Sequence, residues 1–131
     1  MTTELVLQRN DHDCVVACLA MWTGIDYDRI AAEVPRVGGG VCLWDAVKYL
    51  RANGHAARRS VWWFHSHKAI LDLPSLNHVG GMHAVYWDGD ELFDPNQGRP
   101  GKLVWTRALL EAKPHWGGTV TETPIEDEPR D

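Results

Sequence analysis

Apolar positions divide the chain into a helical part followed by a strand-like part. Residues 15–22 are continuously apolar, which fits a buried helix; Asp11 or Asp13 stands where a cap belongs, and Gly24 where the helix would end. A second helix fits residues 27–33, opened by Asp26 and stopped before Pro35. Leu43, Val47 and Leu50 recur at helical spacing and predict a third helix over residues 43–53, with Gly54 just past its end. Between the last two, Gly38-Gly39-Gly40 reads as a loop, because three glycines in a helix would be entropically expensive.

After residue 55 the pattern turns toward β structure. Residues 56–64 contain Val61, Trp62, Trp63 and Phe64 and read as a strand, and residues 5–7 near the start as a short one. Residues 65–71 suggest a short helical turn. Residues 73–76 read as an extended segment that Pro74 confines to a sheet edge. Residues 82–87 and 91–94 flank Asp88-Gly89, a strong hairpin signal. Residues 103–112 mix a strand with a short helix. Helices first and strands second predict an α+β fold, with N-terminal helices packed on a twisted antiparallel sheet.

Composition narrows the functional classes. At 131 residues and 44% hydrophobic, the chain fits one globular domain, expected over residues 1–116. Residues 117–131 hold Glu122, Glu126, Asp127, Glu128 and Asp131 against Arg130, about −4 of a net −5, and read as an acidic, disordered tail. The body is nearly neutral, which argues against a nucleic-acid partner. No apolar run reaches the roughly 18 residues of a membrane span, and the N-terminus lacks signal-peptide character. Three cysteines make a poor disulfide framework, so a cytoplasmic protein with reduced thiols is expected.

Candidate chemistry centres on Cys14. At the start of the first predicted helix, unsatisfied amides and the helix dipole favour a thiolate. Cys18 and Cys42 read as small buried hydrophobes. If Asp88-Gly89 is a two-residue turn, Trp87 faces Asp90, Val85 faces Leu92 and His83 faces Asp94. Opposed residues carry Cβ atoms about 4.5–5.5 Å apart, so imidazole and carboxylate can bond. The carboxylate would fix the ring tautomer and leave the other nitrogen for the thiol. Gln8, six residues before Cys14, can offer a side-chain N–H to an oxyanion beside the Cys14 amide. Each residue alone has a plainer reading: a surface His–Asp pair, a solvated glutamine, a buried thiol. Together they supply nucleophile, base, orienting acid and oxyanion donor.

The chain resembles the double-glycine leader peptidase family, the papain-like domain fused to bacteriocin-exporting ABC transporters, and its stand-alone relatives. The resemblance lies in QRNDHDCVVACLAM (residues 8–21), GVCLWDAVKYLRANGHAA (40–57), LPSLNHVGGMHAVYW (73–87) and FDPNQG (93–98), in the family's order. It implies a papain-like cysteine peptidase fold with Cys14 as nucleophile, His83 as base, Asp94 as orienting acid and Gln8 as oxyanion donor. Val15 stands where the family usually has glycine, the His83–Asp94 spacing is short, and no membrane or ATPase segment follows in this sequence.

The expectation is therefore a cysteine peptidase that hydrolyses a peptide or protein substrate through a Cys14 thioester, with no cofactor and no metal. His65-Ser66-His67 matches no strong zinc spacing, and the glycine run lacks the lysine of a phosphate loop. Most of the seven tryptophans read as core, with Trp44, Trp62 and Trp63 as candidates for a substrate groove. Two alternatives keep the same fold: a deamidase or transglutaminase-like modifier of a partner protein, and a catalytically silent peptide-binding module.

Overall fold

A computed structural model of the chain describes residues 3–61, 66–112 and 118–123. Three helices come first: α1 (Cys14–Thr23), α2 (Tyr27–Glu33) and α3 (Leu43–Ala52). They are followed by β1 (Ala57–Ser60), β2 (Ala69–Pro74), β3 (Met82–Trp87), β4 (Leu92–Phe93), α4 (Arg107–Ala112) and β5 (Gly118–Glu122). The strands form one five-stranded sheet in the order β1-β5-β2-β3-β4, with every described ladder antiparallel. The architecture is α+β, as the sequence predicts.

Strand alternation gives the sheet two apolar faces. Ile70, Ala84, Tyr86 and Val120 pack with Val16, Leu19, Ile30, Val47 and Leu50 of the first three helices. Leu71, Leu73, Val85 and Trp87 point the other way and pack with Trp105 and Leu110. Helix α1 is buried from Val15 to Trp22, which explains why its sequence shows no polar stripe. It ends at Gly24, whose left-handed φ of 76° lets its N–H reach the Ala20 carbonyl at 2.9 Å. Asp26 caps α2 by accepting from the Asp28 N–H at 3.1 Å.

Four expectations need correction. Gly118–Glu122 is not tail but a strand lying between β1 and β2, with Val120 fully buried. Its alternating Thr-Val-Thr pattern was outweighed by the surrounding acids and prolines. The expected tail beyond 123 lies outside the described residues. Residues 5–7 form no strand; Leu5 and Leu7 are exposed, and the segment is anchored by the Gln8 N–H on the Pro95 carbonyl at 3.1 Å. The helical turn expected over 65–71 does not form: residues 66–68 turn into β2, which begins at Ala69, and His65 lies outside the described set. Pro74 ends β2 rather than marking a sheet edge; β2 is flanked on both sides. Of the strand expected over 56–64, β1 covers Ala57–Ser60, and Trp62, Trp63 and Phe64 lie outside the described residues.

Candidate active site

The site begins with a loop folded back on itself before α1. Gln8 is buried, and its Nε2 donates to the Asn10 carbonyl at 2.9 Å. Asn10 Oδ1 in turn accepts the His12 N–H at 2.8 Å, closing a local side-chain turn. Asp11 is held from outside by Lys102 at 3.1 Å and Arg99 at 3.5 Å. The loop thus delivers Cys14 as the first helical residue, half-buried, with its backbone N–H among the donors that no helical carbonyl can satisfy.

Asp13 occupies the N-cap position but makes no capping bond. Its carboxylate accepts instead from Arg36 Nη1 at 2.5 Å, the Tyr27 hydroxyl at 2.7 Å and Asn10 Nδ2 at 3.2 Å. Burial pushes its pKa up, but the Arg36 and Tyr27 hydrogen bonds outweigh burial and hold it below the ordinary carboxylate range. For Tyr27, burial and the Asp13 carboxylate push the phenol up to about 12. Arg36 also donates to the Gly39 carbonyl at 3.1 Å, and the His12 ring packs against Gly39. One buried acid therefore ties the helix that Cys14 opens to the glycine loop. That clasp was not read from the sequence; the acid directly preceding Cys14 is its only local sign, and it points equally to a cap.

The other half of the site comes from β3 and the turn after β4. The observed register pairs Tyr86 with Phe93 and Trp87 with Leu92, two residues away from the expected one. The turn has four residues, not two: the Asp88 N–H donates to the Glu91 carbonyl at 3.1 Å. Asp88 Oδ1 accepts the N–H groups of Asp90 and Glu91 at 2.9 and 2.7 Å. A two-residue shift preserves side-chain parity, so His83 and Asp94 remain on one face although they are not direct partners.

His83 Nε2 lies 2.7 Å from Asp94 Oδ1, both side chains being buried. The Cys14 thiol lies close enough to the His83 ring to help raise its pKa. Because Nε2 is committed to Asp94, Nδ1 is the nitrogen left for sulfur. Asp94 is itself fixed: Oδ1 accepts the Asn96 N–H at 2.8 Å, and Oδ2 accepts the Trp105 N–H at 2.7 Å. Burial pulls the His83 pKa down, but the Asp94 hydrogen bond and the neighbouring Cys14 overcome it and raise it to about 9. The imidazolium form is thus favoured at neutral pH.

The structure brings together Cys14, His83 and Asp94. Gln8 is buried in the loop that leads to Cys14; its Oε1 is buried without a partner, and one N–H is committed to Asn10. Cys18 is fully buried, and desolvation pushes its thiol up. Cys42, expected to be buried, is exposed at the start of α3, where its thiol donates to Asp45 at 3.1 Å. Among the described residues, no three His, Cys, Asp or Glu side chains gather as metal ligands would, and no helix is long and apolar enough to cross a membrane.

Cys14 opens into a cleft of about 430 Å³. Val15 and the glycine loop form one side, Cys42 and Leu43 another, and Arg59, Asp72 and Met82 of the sheet the third. Trp44 is exposed but does not line it, and Trp62 and Trp63 lie outside the described residues. A larger groove, about 970 Å³, runs past Trp22 and Tyr27 at the other end of α1 and touches neither Cys14 nor His83. Volume alone would select that groove; Cys14 lies on the smaller one. Compared with known proteins, the chain matches no family model and no curated protein.

Proposed function

We propose that the protein is a papain-like cysteine peptidase, similar to the stand-alone members of the double-glycine leader peptidase family, that cleaves a peptide amide through a thioester on Cys14. The observation that carries this reading is His83 bonded to Asp94 and adjoining Cys14, with Asp94 locked by two backbone N–H groups. In the proposed reaction the Cys14 thiolate attacks the substrate carbonyl carbon. The oxyanion accepts from the Cys14 backbone N–H and from the second N–H of Gln8 Nε2. The His83 imidazolium protonates the leaving amine, and C–N cleavage leaves the thioester. Neutral His83 then takes a proton from water, hydroxide attacks the thioester, and the thiolate departs. Asp94 orients the ring and stabilises its charged state throughout.

The decisive experiment is labelling with a thiol-reactive peptide probe, followed by mapping of the modified cysteine. Selective modification of Cys14, abolished by Cys14→Ser and strongly slowed by His83→Ala, is expected. Equal labelling of Cys14 and the exposed Cys42 would overturn the peptidase reading. Assay of a cleaved peptide alongside free ammonia separates hydrolysis of the chain from deamidation of a partner.

A further inference from the structure

Two charged side chains on the cleft floor have no role in the steps above. Asp72 lies in the middle of the sheet, opposite Ala84 of β3 and Gly118 of β5. It shares the helix-facing side with Ile70, beyond the point where the helices cover the sheet. Arg59 comes from β1 on the far side of β5, and its guanidinium lies directly over Gly118: a Cβ at that position would stand 2.8 Å from Nη2. Gly118 is thus the opening through which Arg59 reaches toward Asp72. Among the described residues, neither the Asp72 carboxylate nor the Arg59 guanidinium makes a hydrogen bond or close ion pair; Arg59 and His83 act on Asp72 only through their charges, from beyond bonding distance. Asp11, the other acid on the cleft, is already held by Lys102 and Arg99. A half-buried carboxylate and a guanidinium therefore face one small cavity with their bonding capacity open.

Resting on the peptidase reading, we propose that Asp72 and Arg59 form the specificity floor of the cleft and receive the neutral carboxamide side chain of a substrate glutamine or asparagine. The carboxamide NH2 donates to Asp72 and its C=O accepts from Arg59, so both floor groups are satisfied at once. A glutamate side chain would satisfy Arg59 but meet Asp72 as a like charge. A lysine would do the reverse. A leucine would desolvate both groups with nothing to replace the lost water, the kind of mismatch that polar sites reject most strongly. The apolar walls, Val41, Leu43 and Met82, suit the methylene stem of the same side chain.

The test uses peptidyl chloromethyl ketones identical except for one residue, Gln, Glu, Lys or Leu, scanned through three positions. The Cys14 thiolate forms a C–S bond as the C–Cl bond breaks and chloride leaves, so labelling reads recognition without turnover. Rates are followed by intact-protein mass spectrometry and divided by each variant's own iodoacetamide rate. At one position, the Gln probe is expected to label on the order of 10-fold faster than the other three. Asp72→Asn should move the preference to Glu, and Arg59→Gln should move it to Lys. Gly118→Ala, which displaces the flexible guanidinium, should weaken the Gln preference. A fastest rate with Leu, or variants that change all four probes equally, overturns the inference and leaves the peptidase reading standing. Failure of every probe and of iodoacetamide to single out Cys14 removes both.

Discussion

The two sides of the site are specified in different ways. Residues 8–53 form the Cys14 side, and its helices are set by local determinants: a loop closed by Asn10, a helix opening at Cys14, a left-handed stop at Gly24, with Pro95, Arg99 and Lys102 holding the loop from outside. Residues 57–122 form the His83 side, and beyond the β2–β3 and β3–β4 hairpins its contacts join distant segments. Ala57 pairs with Glu122, and the Asp94 carboxylate depends on Trp105. Local order can be encoded by a few neighbouring residues, whereas the sheet requires distant segments to meet before any of them is stabilised. Cys14 is therefore set mainly by its own helix, and His83 by the integrity of the whole sheet.

The largest expected effect follows from that asymmetry. Deleting residues 118–131 removes β5, breaks the ladders to β1 and β2 together, and exposes the core around Val120. A domain of this size has only about 5–15 kcal/mol of stability, less than the loss of an interior strand takes away. The truncated chain should show no cooperative thermal transition by circular dichroism. A transition near the full-length midpoint would mean that β5 is dispensable and that the sheet side is more local than its register implies.

The same asymmetry decides what could be read in advance. All three N-terminal helices are legible because apolar spacing, Asp26 and Gly24 act within a few residues of each other. Cys14, His83 and Asp94 are legible as types at suggestive positions. Their meeting survives an incorrect hairpin register only because the error is two residues and not one, so parity is kept. Strand β5 is not legible: its Thr-Val-Thr alternation is brief and sits among acids and prolines, and only pairing with β1 and β2 gives it meaning. The Asp13–Arg36 clasp is hidden for a related reason. Its two members are 23 residues apart, and neither is unusual where it stands.

Asp94→Asn tests the base side more finely. Whichever way the amide points, its NH2 meets a donor, the Trp105 N–H or the Asn96 N–H. The substitution should lower stability by about 1–3 kcal/mol and slow turnover on the order of 100-fold or more. It should also change the pH dependence. His83 has a folded pKa of about 9 against an ordinary 6.5, so its stabilising contribution is complete below about pH 6.5 and is lost as pH rises through 9. Thermal midpoints measured across that window should fall in the wild type and fall less in Asp94→Asn, where the raising partner is gone. Parallel slopes would mean that Asp94 does not set the protonation of His83.

Arg36→Ala probes the local side at a smaller cost. Asp13 keeps Tyr27 and Asn10 but loses its cation, for an expected loss of about 1–2 kcal/mol. The Asp13 pKa is depressed by this pairing, so its stabilisation is present above the ordinary carboxylate range and is lost as pH falls through the folded value. The variant should therefore lose less stability than the wild type on acidification. Release of the Gly39 carbonyl should loosen the cleft wall and raise KM more than it lowers kcat. An equal fall in kcat without a change in KM would place the clasp's effect on Cys14 instead of on the wall.

At the hairpin tip the expected effects fall from that size to nothing, and their order is the informative part. Gly89 has a φ of +102°, and a Cβ there would lie 3.2 Å from the Ser66 carbonyl oxygen, so Gly89→Ala strains the backbone and crowds a neighbour. About 1–2 kcal/mol should be lost, read as a lower thermal midpoint. Asp88→Asn keeps an Oδ1 that can accept from Asp90 and Glu91, but turns an amide toward the Thr3 hydroxyl, which can rotate to accept. Its effect should stay under about 1 kcal/mol. Asp90→Asn changes an exposed side chain for which no hydrogen bond or ion pair is seen among the described residues, and should be silent in both stability and labelling of Cys14. The tip sets register, and register sets which face His83 and Asp94 occupy. If Asp90→Asn proved more damaging than Gly89→Ala, the four-residue turn would be wrong, and the parity that brings imidazole to carboxylate would need another cause.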